Sequence, residues 1–472
     1  MPRWDGPRDA TAFGPACVQS RYPEGSIYAA PPDAMSEDCL TLNIWTPETA
    51  AGAPVFVWIH GGSLSRGASS DAIYDGAALA ARGIVVVSVN YRLGVLGYFA
   101  HPDLSAESPD GVSGNYGLLD QIAALAWVRD NIAAFGGDPA NVTIAGESAG
   151  ALSVLYLMAA PRARGLFAKA IAQSAYMIST PELREPHVGE TPSETLGERL
   201  TRALGAVGVA ELRGMEARAL VEAASKAGHQ PFGTIDGKVL PRQLVEVFDR
   251  GEQAKVPLLA GYNSGEIRSM RFLAPSVPQD GAAYVAMIRA RYGDLAEAFL
   301  RRYPADDLPE SILAATRDAM YGWTAERAVA AQAAQGVPSF LYLFDHSYPA
   351  ATEAGLHSFH ACELPYVFGT LDRTPPLWPK VPDTPAERQL SDVMLDCWSS
   401  FARTGSPRAP GAPDWPVFAE GRAFMRFASM PQAGSDHCRG MYLLHEEMVR
   451  RRRAAGTVPW NWNVGLAAPV IT

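Results

Sequence analysis

Short apolar runs alternate along this chain with longer amphipathic stretches. Val55 to His60, Ile84 to Asn90, Val142 to Ala145, Ala170 to Ser174, Pro257 to Gly261 and Phe340 to Phe344 are nearly continuous in apolar residues. Runs of that length, without a polar residue at every second position, predict parallel strands buried on both faces. Helical spacing lies between them, clearest from Leu118 through Ile122, Leu125, Val128 or Arg129 to Ile132, and closed by Gly136-Gly137 and a turn at Asp138-Pro139. The order predicts an α/β sheet with helices on both faces. Two helix-rich segments, about 180–255 and 266–338, interrupt the alternation and are expected to be insertions roofing the carboxyl ends of the strands, where open α/β sheets bind ligands. No Ser/Gly-rich linker, repeat or low-complexity run divides the chain, so residues 1–472 are expected to form one domain.

Composition narrows the function classes. A hydrophobic share of 48% with 19% charged residues is ordinary for a soluble enzyme with a sizeable core. The net charge of -10, with basic residues clustered only at Arg450 to Arg453, argues against nucleic acid as a partner. That arginine run continues a helix-like segment, His445 to Arg453, and reads as a solvated helix end. No apolar stretch reaches the roughly 18 residues of a membrane span. Met1 to Ala10 lacks the apolar region of a signal peptide, so a cytoplasmic chain is expected. Five cysteines are few for a disulfide scaffold and read mostly as buried small apolar residues. The tail from Trp460 to Thr472, with two tryptophans, is a candidate to pack on the body or on a second subunit of a homodimer.

Candidate chemistry centres on Gly146-Glu147-Ser148-Ala149-Gly150. A G-x-S-x-G alone is weak in a chain with 43 glycines. Here it stands between the strand pattern Asn141 to Ala145 and the Ala/Leu-rich helical pattern Ala149 to Ala160, the setting of a nucleophile elbow. A serine hydroxyl needs a base, an acid that orients the base, and donors for the oxyanion. The turn Trp58-Ile59-His60-Gly61-Gly62-Ser63 can offer the N–H groups of Gly62 and Ser63, with Ala149 N–H as a third donor. Acid and base are expected after the serine in chain order. Glu266, on a Gly-rich turn after the strand Pro257 to Gly261, is the acid candidate. His346, His357 and His360 are base candidates, and spacing alone does not choose among them.

The motifs together carry a resemblance. Ser36-Glu37-Asp38-Cys39-Leu40-Thr41-Leu42-Asn43-Ile44, Asn90-Tyr91-Arg92-Leu93-Gly94, Phe135-Gly136-Gly137-Asp138-Pro139 ahead of the Ser148 pentapeptide, and His360-Ala361-Cys362-Glu363-Leu364-Pro365-Tyr366-Val367-Phe368-Gly369 resemble the type B carboxylesterases. The likeness runs from about Phe13 to Phe418. It implies an α/β-hydrolase fold: a mostly parallel central sheet, helices on both faces and helical insertions over the active site. It further implies Ser148 as nucleophile, Glu266 as orienting acid and His360 as base, with His346 and His357 as bystanders. Glu147 and Glu363 resemble the family's further carboxylates, forming with Ser174 a buried network that tunes His360. Glu37 and Arg92 match a buried ion pair, and Cys17 and Cys39 match a disulfide at the gorge rim. The implied reaction is hydrolysis of a small-molecule ester, short-chain aliphatic or aryl, through an acyl-enzyme, with no metal or cofactor required. Met270, Phe272, Leu273 and Tyr321 are candidates to line the pocket.

Three departures qualify the likeness. Ser63 stands where many members carry Gly or Ala, which places a hydroxyl beside the acyl group. No tryptophan lies between Cys17 and Cys39, and Tyr22 and Tyr28 are weaker aromatic faces for a quaternary ammonium, which favours a general carboxylesterase over a cholinesterase. The family normally has several dozen residues ahead of the segment that begins here at about Pro2. A misassigned start, a lost export signal with a secreted form, and a shortened form with a more open site are the three readings of that difference. The alternative function is a noncatalytic esterase-like binding or adhesion module, which the intact triad opposes.

Overall fold

The apolar runs are continuous because both faces of the sheet are covered. The computed structural model describes residue 6 and residues 9–437, 439–459, 466 and 470. In chain order the strands are β1 (Ala16–Cys17), β2 (Met35–Ser36), β3 (Leu42–Trp45), β4 (Ala53–Ile59), β5 (Val85–Val89), β6 (Gly137–Glu147), β7 (Lys169–Gln173), β8 (Leu258–Asn263), β9 (Ser339–Phe344), β10 (Ala423–Phe427) and β11 (Pro431–Ser435). β1 and β2 form a small parallel pair, and the others form a 9-stranded sheet in the order β11-β10-β9-β8-β7-β6-β4-β5-β3. All pairings from β5 to β10 across the sheet are parallel, and only the edge strands β3 and β11 run antiparallel to their neighbours. The six strands expected from sequence are β4 to β9. Along β4, Val55, Val57 and Ile59 enter the core on one face while Phe56 and Trp58 enter the core on the other. Each such side chain contributes roughly 1.5–3 kcal/mol by leaving water.

Helices follow the same logic. Tyr116–Asn131 buries Leu118, Leu125 and Val128, and the chain leaves it through a short 3-10 turn ending at Gly136, whose φ of 79° suits glycine. The turn at Asp138-Pro139 falls inside β6, where pairing with β4 jumps from Ala53–Gly137 to Val55–Val142. Ala149–Ala159 is buried along its whole length, which explains why it is apolar all round. On the opposite face Pro385–Thr404 seats Trp398 in the second core. The segments 180–255 and 266–338 are helix-rich as expected, with Ser193–Ala203, Ala217–Lys226, Gly281–Tyr292, Leu308–Arg317 and Trp323–Ala334 among their helices.

Two expectations need correction. Arg92 does not pair with Glu37, which is exposed; it forks onto buried Asp120, with Nε 2.8 Å from Oδ2 and Nη2 2.8 Å from Oδ1. Asp120 projects from the Tyr116–Asn131 helix, so the pair ties that helix to the Arg92 loop. The helix predicted near the C-terminus spans Arg439–Ala455, but its arginine run is not wholly solvated. Arg452 is buried with His445, while Arg450, Arg451 and Arg453 pair with Glu447, Asp294 and Asp249. Cys17 and Cys39 are joined by a disulfide, and Cys362 and Cys397 are buried thiols. Trp460 and Trp462, central to the proposed packing of the tail, lie outside the described residues.

Candidate active site

Strand register brings the chemistry to one edge. Glu147 at the end of β6 pairs with Gln173 at the end of β7, which pairs with Gly261 in β8. The chain then turns at Ser148, which has φ 56° and ψ -121° and is followed at once by the Ala149–Ala159 helix. Such a conformation is unfavourable for a residue with a Cβ and persists only where packing fixes it. Here a Cβ on Gly146 would stand 2.5 Å from the Gly150 carbonyl, and one on Gly150 would stand 2.0 Å from the Ile59 oxygen. Ser148 N–H donates to the Gln173 carbonyl at 2.9 Å, and Leu152 N–H to the Ser148 carbonyl at 2.9 Å.

The turn after β4 abuts this elbow. A Cβ on Gly61 would lie 3.3 Å from the Ser148 Cβ. Gly62, Ser63 and Leu64 have φ of 97°, 56° and 55°, and the N–H groups of Ser65 and Arg66 fold back onto the Gly62 carbonyl at 3.0 and 3.1 Å. The N–H groups of Gly62 and Ser63 have no acceptor among the described residues, and Ser63 is exposed. Ala149 opens its helix, so its N–H has no intrahelical acceptor.

His360, buried on the turn before the Leu364–Phe368 helix, bonds through Nδ1 to Glu266 Oε2. Its Nε2 lies 3.0 Å from Glu147 Oε1 without hydrogen-bond alignment, so that edge of the ring faces the elbow. Glu266 is fully buried, and its other oxygen accepts from Ser174 Oγ at 2.6 Å and from Asn263 N–H at 2.8 Å. Glu363 accepts from Gln173 Nε2 at 2.9 Å and from Asn263 Nδ2 at 2.6 Å. Burial alone would pull His360 down, but Glu147, Glu266 and Glu363 outweigh it and raise its pKa to about 9. Burial pushes Glu147 up to about 8 against the pull of His360, and it also raises Glu363.

Ser148, Glu147, Glu266, His360, Ser174 and Glu363 are therefore brought together: Ser174 bonds Glu266, and Glu363 connects through Asn263 and Gln173. Gln173, whose Oε1 accepts from Trp398 Nε1 at 2.9 Å, and Asn263 were missed. Their signal in the sequence is a polar residue ending an otherwise apolar strand. His346 bonds Glu387 at 2.8 Å, and no hydrogen bond or ion pair joins His357 to Glu266 among the described residues. Of the pocket candidates, Tyr321 is buried with its ring 5.4 Å from that of His360, held at a π-helical turn, Asp318–Gly322. Phe272 is 82% exposed and belongs to the surface, since its one-turn helix Arg271–Leu273 buries none of its residues. Tyr28 places its hydroxyl 2.6 Å from Ser269 Oγ and 3.0 Å from the His360 carbonyl, whereas Tyr22 stacks under Arg66. Two cavities of about 480 and 1000 Å³ lie elsewhere, beside Arg92 and along β3, and neither is lined by Ser148, Glu266 or His360.

A serine at a strand–turn–helix elbow, on a mostly parallel sheet and beside a carboxylate-bound histidine, defines an α/β-hydrolase. The sequence profile of the carboxylesterase family matches residues 1–442. The chain is 37% identical over 446 residues to a fumonisin B1 esterase of Sphingopyxis macrogoltabida, covering 91% of this chain and 79% of that protein. It is 36% identical over 430 residues to the para-nitrobenzyl esterase of Bacillus subtilis, covering 88% and 84%. Among solved structures, a PNB esterase superposes with a TM-score of 0.78 at 33% identity, over 92% of this chain and 88% of that one. A Geobacillus stearothermophilus carboxylesterase gives a TM-score of 0.76 at 33% identity, over 96% and 90%. The chain belongs to the carboxylesterase family. It is an enzyme, a carboxylic ester hydrolase. No helix among the described residues is long and apolar enough to cross a membrane.

Proposed function

We propose that Ser148 is the nucleophile, His360 its general base and Glu266 the acid that orients the imidazole, with the N–H groups of Gly62, Ser63 and Ala149 as oxyanion donors. The Nδ1 bond from His360 to buried Glu266, beside a serine held at the elbow, carries this reading. His360 Nε2 takes the Ser148 proton as Oγ attacks the ester carbonyl, and the tetrahedral oxyanion is held by the three amides. Each donor is worth about 3 kcal/mol in the transition state. His360 returns the proton to the leaving alcohol, leaving an acyl-serine. Water, deprotonated by His360, then releases the acid and restores the serine. Glu266 holds the imidazolium through Nδ1.

The substrates we assign are small carboxylic esters with short aliphatic or aryl parts. The helical segments 180–255 and 266–338 are proposed as walls of the site within one domain; Tyr321 and Ser269 from the second of them support this, the one beside His360 and the other bonded to Tyr28. The test is hydrolysis of a para-nitrophenyl ester by the purified enzyme and by Ser148→Ala. The variant is expected to lose on the order of 10⁶-fold in kcat. Equal rates would refute the nucleophile assignment.

A further inference from the structure

The turn carrying Gly62 and Ser63 is strained, with three consecutive positive φ values of which two belong to residues with a Cβ. Backbone of that kind is kept only by surroundings that over-determine it. At the entrance, Tyr91 donates its hydroxyl to the His60 carbonyl at 2.8 Å and stacks on the His60 ring with centroids 4.6 Å apart. Midway, Gly94 N–H donates to the Leu64 carbonyl at 2.7 Å. At the exit the holding group is a side chain from far upstream. The buried carboxamide of Gln19 accepts from Gly67 N–H at 2.8 Å and donates to the Gly67 carbonyl at 2.9 Å, reproducing the two-bond exchange of neighbouring strands. Its Nε2 also donates to the Cys17 carbonyl at 3.0 Å, at the foot of the Cys17–Cys39 bridge, so the carboxamide is itself fixed.

Gly67 is pressed against the base of the turn. With φ 110°, it lies so close that a Cβ there would stand 2.6 Å from His60 Nδ1 and 3.0 Å from the Gly61 carbonyl, and Gly61 in turn packs on Ser148. We propose that Gln19 is a positioning residue for the oxyanion turn: through Gly67 it sets where the Gly62 and Ser63 N–H groups stand relative to Ser148. This rests on the reading of those amides as oxyanion donors. Gln19 touches no reacting atom. Donors act only when they stand about 2.7–3.1 Å from the developing oxyanion, whereas ester binding tolerates a looser turn. Releasing Gln19 therefore weakens transition-state binding and spares substrate binding.

The test uses Gln19→Met, which keeps length and removes both bonds, and Gln19→Glu, which keeps the acceptor for Gly67 N–H but faces an oxygen to the Gly67 carbonyl. With para-nitrophenyl butyrate, kcat is expected to fall about 30-fold while KM stays within about threefold, less than the loss for deleting a donor outright. Affinity for a trifluoromethyl ketone, which adds to the serine as a tetrahedral hemiketal, is expected to fall in proportion to kcat/KM. A folded variant, by circular dichroism, that keeps wild-type kcat, loses only KM, or keeps its affinity for the ketone would overturn the proposal. Wild-type enzyme that matches Ser148→Ala would instead sink the catalytic assignment beneath it.

Discussion

At the elbow, Ser148 is held by backbone: β6 stops, the helix starts, and Gly146 and Gly150 leave no room for a side chain between them and β4. Across the site, His360 is held by polar groups that come from three places in the chain, with Glu266 bonded to it, the Ser174 hydroxyl and the Asn263 N–H on Glu266, and the Gln173 and Asn263 side chains on Glu363. The first is a steric device that either fits or fails. The second is a network of buried polar groups, in which each bond adjusts charge and orientation by degrees. The elbow fixes where the oxygen stands; the network decides how basic its neighbour is.

That contrast can be broken by substitution. Gly150→Ala is expected to have the largest effect, because its methyl would meet the Ile59 and His60 backbone at 2.0 and 2.9 Å, and neither can give way cheaply. We expect destabilisation of about 3 kcal/mol or more with no detectable esterase activity, read by thermal melting and assay. Glu266→Gln should leave the fold intact and lower kcat about 10⁴-fold, by removing the charge that holds the imidazolium. If Gly150→Ala were mild and active, the elbow would not be the rigid partner. Glu147→Gln should act most gently. A base works unprotonated, and the carboxylates around His360 hold it protonated up to about 9, so kcat/KM should rise with pH through that range. Removing one of those charges lowers the His360 pKa, and the acid limb of the kcat/KM profile should move to lower pH than in wild type. A limb that stays in place, or moves up, would show that Glu147 does not act on His360.

The same contrast explains what could be read in the chain. β4 to β9 and the Ser148 elbow are written in contiguous residues, since two-sided burial and a tight turn constrain neighbours in sequence. β3 and β11 escaped, because strands at a sheet edge are only partly covered and their apolar residues do not run together, while in β10 the exposed Arg426 interrupts a short buried run. Local spacing left three histidines in play, and only the motif around His360 and Glu363 separated them. Gln173, Asn263 and Trp398 are polar links whose side-chain partners lie 100 to 225 residues away, and a polar residue ending an apolar strand is the one local sign of the first two. Arg92 failed for the same reason: its choice of Asp120 over Glu37 depends on how a helix packs.

The central claim is that an ester's acyl group passes through Ser148 and that His360 with Glu266 puts it there. Rapid acid quench of the enzyme mixed with excess para-nitrophenyl ester, followed by peptide mass spectrometry, tests it most directly. The account predicts one acyl group per chain, on the peptide bearing Ser148, and almost none in His360→Gln quenched at the same time. Acyl label on another residue, or undiminished labelling of Ser148 in His360→Gln, would contradict it.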